Sequence, residues 1–363
     1  MFSPDLPASV RTAERNLYRL TVADHVLSRA PSARGPRLAA RTDALARLWE
    51  LADFSVQDAA PVQVLEEVTF DAFVSASAGY RRPVVIRGFG EDIQAVREWS
   101  PAYLVSRMGD APCTVVEMDE AAMSRPHDSK RVLLQMAFSD FIERMDSEPL
   151  YLHNSTEFAS QFPDLLDEIE LERVGAALTT PGSSWDEIFS SNLFVGTDRV
   201  FSNLHCAPGG NFFLQITGEK TWTLVDPARS AFLLPLPSKP FNHCLSIYGS
   251  FRAQGEDSPL WRLPRQTVTL KPGDLLYNPP WWWHEVENSG PTIGCALRHV
   301  PRPLQPSPTW ANHPLFSALS VYPKLWAASA ASYLRHQLDS TAAPMRSHLN
   351  PRLAEELNRA RGR

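Results

Sequence analysis

The sequence predicts a mainly β protein with flanking helices, its core a double-stranded β-helix, or jelly roll. Three observations lead there. From "SNLFVGTD" to "TIGCALRHV" the chain is a succession of short strand-like runs. Tight turns at Thr217-Gly218-Glu219 and Lys271-Pro272-Gly273-Asp274 punctuate them, as a double-sheet jelly roll or barrel requires. Helical periodicity lies on either side of this region.

Taken in order, the first sixty or so residues read as helical. In "RTDALARLWELADF" the spacing of Leu45, Leu48 and Leu51 predicts an amphipathic helix against a core. "RRPVVIRGFG" is a short apolar strand between turn residues. "EWSPAYLVSRMGD" is a helix capped by Ser100, with Pro101 at its first position. "CTVVEMD" reads as a strand, "FSDFIERMDS" as a helix from Ser139, and "EPLYLHN" as a strand. "SQFPDLLDEIELERVG" is helical, and the strand-rich region follows: "SNLFVGTD", "NFFLQIT", "KTWTLVDP", "QTVTLKPGDLLYNPP", "HEVENSG" and "TIGCALRHV". The Pro-rich "VPRPLQPSP" ends it, and helical patterning returns. The domain reading is a helical N-terminal extension at 1–63, a jelly-roll catalytic domain at 64–305 and a helical C-terminal extension at 306–363. The last either pads the barrel or forms a homodimer interface.

Composition narrows the function classes. The chain has 363 residues, 44% hydrophobic, enough for a substantial core. Its net charge of -6 gives no basic footprint for nucleic acid or an anionic membrane. No apolar run is long enough to span a bilayer, and "MFSPDLPASVRTAERN" lacks the apolar stretch of a signal peptide. Cys113, Cys206, Cys244 and Cys295 form no CxxC pair and read as reduced thiols of a cytoplasmic protein. There is no GxGxxG, Walker loop or GxSxG elbow.

Two histidines sit where a jelly roll can bring them together. His205 precedes the strand from Asn211, and His284 follows "PPWWW" and opens the strand "HEVEN". Taken singly, either is more often a hydrogen-bonded structural residue than a ligand. Their surroundings reverse that weighting. "RPVVIRGF", "PLYLHN", "SNLFVG", "LHCAPGGNFFLQITGEK" and "KPGDLLYNPPWWWHEVEN" resemble the JmjC/cupin-8 group of iron(II)- and 2-oxoglutarate-dependent oxygenases, in particular its asparaginyl-hydroxylase-like branch. The resemblance covers about residues 64–302, and the last two phrases match in spacing as well as residue type.

In such enzymes a His-x-Asp/Glu pair and a distal histidine hold iron, with positions left for the keto acid and O2. The resemblance implies His205 and His284 as metal ligands and Lys220 as the partner of the far carboxylate of 2-oxoglutarate. It also implies Tyr151, Ser202 and Asn211 as residues that bind the co-substrate or line its pocket. Arg298, on "CALRHV", is a second candidate for a carboxylate contact. Strand parity agrees. Asn211 and Phe213 share one face, and Lys220 leads the return strand toward the same interior. A lysine inside an apolar barrel is costly unless it meets an anion, and a dicarboxylate supplies one.

The sequence departs from the family pattern at one position: His205-Cys206-Ala207 ends in a methyl group where a carboxylate ligand is expected. Three readings compete. Related 2-oxoglutarate-dependent halogenases carry a His-x-Ala variant, in which chloride or bromide binds iron in the vacated space. Alternatively, an oxygenase draws its third ligand from elsewhere or uses water. Glu285 and Glu287 are poor substitutes, because both fall on the face opposite His284. Thirdly, the chain is a non-catalytic JmjC-like binding protein. Only one position departs, which favours a changed reaction over a lost one. A cupin using zinc or manganese is a fourth option, in which two histidines alone would hold the metal weakly.

The expected function is therefore halogenation of an unactivated aliphatic C–H, with Ala207 the halide pocket and hydroxylation of a peptide or protein side chain as the runner-up. Fe(II), 2-oxoglutarate, O2 and chloride or bromide are the expected cofactors and co-substrates. The expected partner is a small-molecule, peptide or carrier-bound substrate, with neither nucleic acid nor membrane involved. Residues 228–265 read as a long insertion of the kind that carries specificity or forms a lid, and His243 within it as a surface or substrate-contact residue. Trp281 to Trp283 read as packing of the barrel rim.

Overall fold

The structure is a computed structural model that describes residues 6–27, 36–56, 59–119, 132–155, 158, 161–178, 188–207, 209–237 and 244–299. The C-terminal extension and His243 lie outside the described residues.

The strands are β1 (Gln63–Leu65), β2 (Val84–Ile86), β3 (Pro112–Glu117), β4 (Val132–Ala137), β5 (Leu150–Ser155), β6 (Ile188–Gly196) and β7 (His205–Cys206). They continue with β8 (Gly210–Val225), β9 (Pro235–Pro237), β10 (Cys244–Ser246), β11 (Gln266–Leu270), β12 (Leu275–Asn278) and β13 (Trp283–His299). The path β1-β2-β12-β8-β13-β6-β5-β3-β4 runs through the sheet, with β7 beside β13, β10 beside β7, and β11 beside β8. This is the mainly β architecture that the alternating runs predict.

The centre of the fold is the antiparallel ribbon of β8 and β13. Its register runs from His299↔Gly210 to Trp283↔Val225, with a shift between Ser289 and Ile293. The turn expected at Thr217–Glu219 is a bend within this continuous ribbon. Gly218 takes φ 68°, and a Cβ there would lie 2.2 Å from the Pro291 carbonyl oxygen, so the bend accepts no side chain. Before the bend β8 pairs with β12, and after it with β11. Inward side chains of both halves (Phe213 and Ala296 from one, Trp222, Leu224 and Val286 from the other) meet in one buried cluster. The ribbon therefore passes from one sheet to the other and encloses an interior. The second expected turn is observed between β11 and β12, where the Lys271 N–H donates to Asp274 Oδ2 at 2.8 Å and Asp274 pairs with Arg87.

Short helices cover the outer face of the strands. α3 (Phe70–Ala76), α4 (Gln94–Glu98) and α5 (Pro101–Met108) contribute Phe73, Ala95 and Leu104 to a core shared with Phe212, Leu214 and Tyr277. Ser100 caps α5 by accepting from the Tyr103 N–H, as read from sequence. Glu168 ties this layer together by accepting from Trp99 Nε1 at 2.6 Å, from the Tyr103 hydroxyl at 3.0 Å, and from Arg107.

The N-terminal helices α1 (Ala8–Leu27) and α2 (Pro36–Leu51) pack on each other and on the turn Pro227–Leu233. On α2, Leu45, Leu48 and Trp49 are buried while Leu51 is 36% exposed. Steps of three drift around a helix of 3.6 residues per turn, so the buried stripe passes to Trp49 and Ala52 instead. The described part of the 228–265 insertion is not a lid over the interior. Ala231, Phe232, Leu234, Cys244, Phe251 and Leu260 are buried with α1, α2, Trp281 and Trp283 in a second core. Its strand β10 backs β7 with Leu245↔His205 and Cys244↔Cys206 in register. Its apolar residues outnumber what a solvated loop tolerates, so it packs.

Candidate functional site

β7 and β13 set His205 and His284 directly opposite one another in the ladder. Their ring centroids are 4.1 Å apart, with planes at 50°. His205 Nδ1 lies 2.6 Å from the Asn203 carbonyl oxygen, and His284 Nδ1 lies 2.9 Å from that of Trp282. A carbonyl only accepts, so each Nδ1 carries the proton and each Nε2 carries the lone pair. The Asn278 amide also touches His284 Nδ1, at 3.2 Å, and next to an N–H the contacting atom must be its oxygen. Burial first, and the charge of Arg298 second, lower the His284 pKa to about 4 against the opposing pull of the Trp282 carbonyl. The ring is neutral at physiological pH, which is the ligating form. Two neutral imidazoles with oriented Nε2 atoms suit one metal ion between them.

No carboxylate completes the pair among the described residues. No group of three His, Cys, Asp or Glu side chains there could hold a metal ion. The Ala207 carbonyl accepts from the Trp281 N–H at 2.7 Å, which fixes the backbone two residues beyond His205 and leaves only a methyl group there. Glu285 turns outward and accepts from the Phe251 N–H at 2.7 Å. Burial above all, with Glu287 adding to it, raises the Glu285 pKa to about 8 against the hydrogen bonds and charge that lower it. Glu287 pairs with Thr221 on the same outer side. Cys206 faces Cys244 across β10, away from the pair. All four cysteines are buried and none forms a disulfide.

Lys220 is 1% exposed on the inward face of β8, opposite Asn288. Its Nζ donates to Asn288 Oδ1 at 2.5 Å and lies 5.7 Å from the Tyr151 ring centre. Asn288 Nδ2 donates to the carbonyls of Thr197 at 2.9 Å and Val200 at 3.3 Å, which settles which end of the amide faces the lysine. Burial lowers the Lys220 pKa to about 7. An ammonium buried beside an amide is costly without an anion, so this position could hold one.

The remaining sequence candidates lie along the same interior. Tyr151 is buried on β5 beside His153 and Phe194, and burial raises its phenol pKa. Ser202 Oγ accepts from the Val286 N–H at 2.9 Å, pinning β13 two residues beyond His284. Asn211 is 3% exposed with Oδ1 buried and unpartnered, and it pairs with Asn278 and Arg298. Arg298 Nη2 donates to Asn154 Oδ1 at 2.8 Å, and Asn154 itself holds φ 57°.

Three residues escape the sequence reading: Asn288, Asn278 and Trp222. Asn288 and Trp222 share strand parity with named residues, since 284 and 288 lie on one face, as do 220 and 222, and that parity is their signal in the sequence. Asn278 is the ladder partner of Asn211, a relation of register. Of the three adjacent tryptophans, Trp281 and Trp283 face the outer core, and Trp282 faces the barrel interior, where its Nε1 donates to the Arg81 carbonyl at 2.9 Å. No helix among the described residues is long and apolar enough to cross a membrane.

Comparison with known proteins gives the family of the chain. The Cupin-like domain family (Cupin_8) matches residues 70–297. Lysine-specific demethylase JMJ21 of Arabidopsis thaliana is 23% identical over 262 residues, covering 66% of this chain and 25% of that protein. HSPB1-associated protein 1 of Mus musculus is 30% identical over 139 residues, 37% of this chain and 28% of that protein. JmjC domain-containing protein E of Dictyostelium discoideum is 25% identical over 193 residues, 47% of this chain and 54% of that protein. The chain thus spans between a quarter and about half of the length of these relatives.

Proposed function

The chain belongs to the Cupin-like domain family, and on that footing we propose that it is an iron(II)- and 2-oxoglutarate-dependent radical halogenase. It would chlorinate or brominate an unactivated aliphatic carbon of a peptide, amino-acid or natural-product substrate. One observation supports the reading: the His205 and His284 rings face each other with centroids 4.1 Å apart, and residue 207, two beyond His205, is an alanine with no described carboxylate in its place. When bound, iron with 2-oxoglutarate supplies O2 activation and hydrogen abstraction from an unreactive C–H bond.

The chain's own residues supply the rest. Nε2 of His205 and of His284 would hold the metal, each oriented through its Nδ1 proton by a backbone carbonyl. Lys220 would hold the far carboxylate of the keto acid, kept in line by Asn288 and Tyr151. Ala207 leaves room for an anion where a carboxylate would otherwise lie. The positive charge of Arg298, without a described carboxylate at the pair, favours that extra anion. Overall, a C–H bond, halide, O2, 2-oxoglutarate and a proton would give a C–halogen bond, succinate, CO2 and water.

Hydroxylation is the second reading, and the demethylase name of the Arabidopsis relative favours it. It needs water or a ligand from beyond the described residues in the third position. That relative's substrate does not carry over, given the share of its length that this chain covers. The test is turnover of a substrate panel in chloride, in bromide and in halide-free buffer, read by mass spectrometry. Products carrying the isotope pattern of the supplied halogen support halogenation. Oxygen-only products whose yield ignores halide would establish hydroxylation, and no succinate release under any condition would leave a binding protein.

A further inference from the structure

Past the bend in β8, the inward residues are Lys220, Trp222 and Leu224. Leu224 is the ladder partner of His284, and Lys220 that of Asn288. Four residues of strand, about 13 Å, separate these two levels. A molecule that reaches from the imidazole pair to the Lys220 ammonium must pass over residue 222.

The Trp222 indole is 2% exposed, stacks on the His284 ring at 5.5 Å and 22°, and meets the edge of Phe213 at 5.0 Å. Its Nε1 is buried and has no hydrogen-bond partner. Other indoles of this protein do find partners. Trp49 donates to the Tyr248 hydroxyl at 2.8 Å, Trp99 to Glu168 at 2.6 Å, and Trp283 to Ser230 Oγ at 2.8 Å. An indole N–H can only donate, and burying one unpartnered costs as much as a lost hydrogen bond. Its ring stacks on a histidine of the pair, so at this position the buried N–H is a donor kept for a ligand.

We propose that Trp222 is a co-substrate-binding residue, whose indole N–H donates to an oxygen of the 2-oxo dicarboxylate lying between the histidine pair and Lys220. The inference rests on the keto-acid reading of the site above. It assigns the indole two tasks: its face backs the His284 ring, and its N–H fixes the ligand midway along its length.

Trp222→Phe keeps a ring against His284 and removes the donor. Calorimetric titration of 2-oxoglutarate into the anaerobic iron(II)-loaded full chain should show binding weakened about tenfold, the worth of one hydrogen bond to a charged group. Iron affinity should fall much less than 2-oxoglutarate affinity, because the phenyl ring still backs His284. Wild-type affinity for 2-oxoglutarate in the Phe variant would overturn the proposal. A measurement on the unaltered sequence guards against misfolding of the variant. With indole 15N labelling, one of the ten Trp resonances should move downfield when 2-oxoglutarate binds, and no movement would equally overturn it. Movement on adding chloride alone would reassign the donor to the halide and overturn it too. Lys220→Met separates the two levels of the claim. If it abolishes binding while Trp222→Phe does not, only the Trp222 inference falls. If the wild-type protein binds no 2-oxoglutarate at all, the keto-acid reading falls with it.

Discussion

Lys220 Nζ donates to Asn288 Oδ1 at 2.5 Å inside the barrel, so a buried ammonium faces an amide where a carboxylate would have neutralised it. Burial lowers the Lys220 pKa to about 7, and a bound dicarboxylate would restore the charged form. Above pH 7 the free site is mostly neutral and must take up a proton to bind. Affinity for 2-oxoglutarate should then fall by up to about tenfold per pH unit. Calorimetry at pH 8 in buffers of different ionisation enthalpy should report uptake of most of one proton. Zero uptake would mean that Lys220 is not the anion partner.

Asn288 can be tested with two substitutions of opposite character. Asn288→Ala leaves Lys220 and the carbonyls of Thr197 and Val200 without their partner, and should cost about 2–3 kcal/mol of stability. Asn288→Asp instead supplies a fixed counter-charge to Lys220. It should weaken 2-oxoglutarate binding at least tenfold while lowering the melting temperature less than the Ala variant does. If Asn288→Asp binds 2-oxoglutarate normally, the ammonium is not reserved for a ligand.

Stability should depend on pH through two groups of opposite sign. Glu285 has its pKa raised from 4.5 to about 8 in the fold, so the folded state holds more protons and stability falls as pH rises between those values. Lys220 has its pKa lowered from 10.5 to about 7, so the unfolded state holds more protons and stability rises with pH across that interval. Denaturant titrations should show Glu285→Gln flattening the fall and Lys220→Met flattening the rise, each by a few kcal/mol at most. A fall that survives in Glu285→Gln would assign it to another group.

Ala207→Asp restores a carboxylate two residues after His205. It should tighten iron binding and abolish halogenation, with the halide dependence of turnover lost. Halogenated product from this variant would show that Ala207 is not the halide pocket.

The jelly roll is legible in the sequence because strand parity and Gly/Pro turns are local signals. Ser100 and the turn at Lys271–Asp274 read correctly for the same reason. The resemblance of "LHCAPGGNFFLQITGEK" to a known site draws attention to His205 and Lys220, but their neighbours depend on register. Asn288 meets Lys220 because the β8/β13 ribbon pairs those two residues, and the shift between Ser289 and Ile293 carries no local mark. The insertion misleads for a different reason. Its length reads as a loop that carries specificity or forms a lid, and it is the lid that fails, because its described apolar residues find a core once α1 and α2 are in place. Leu51 misleads because a step of three residues leaves the buried stripe within two turns.

The central claim is that His205 and His284 hold iron beside a keto acid, with a place open to halide at Ala207. Anaerobic addition of iron(II) and 2-oxoglutarate should produce the visible charge-transfer band of an iron–keto-acid chelate. Chloride or bromide should shift that band in the wild-type protein and leave it unmoved in Ala207→Asp. Absence of the band, or a wild-type band indifferent to both halides, would contradict the account.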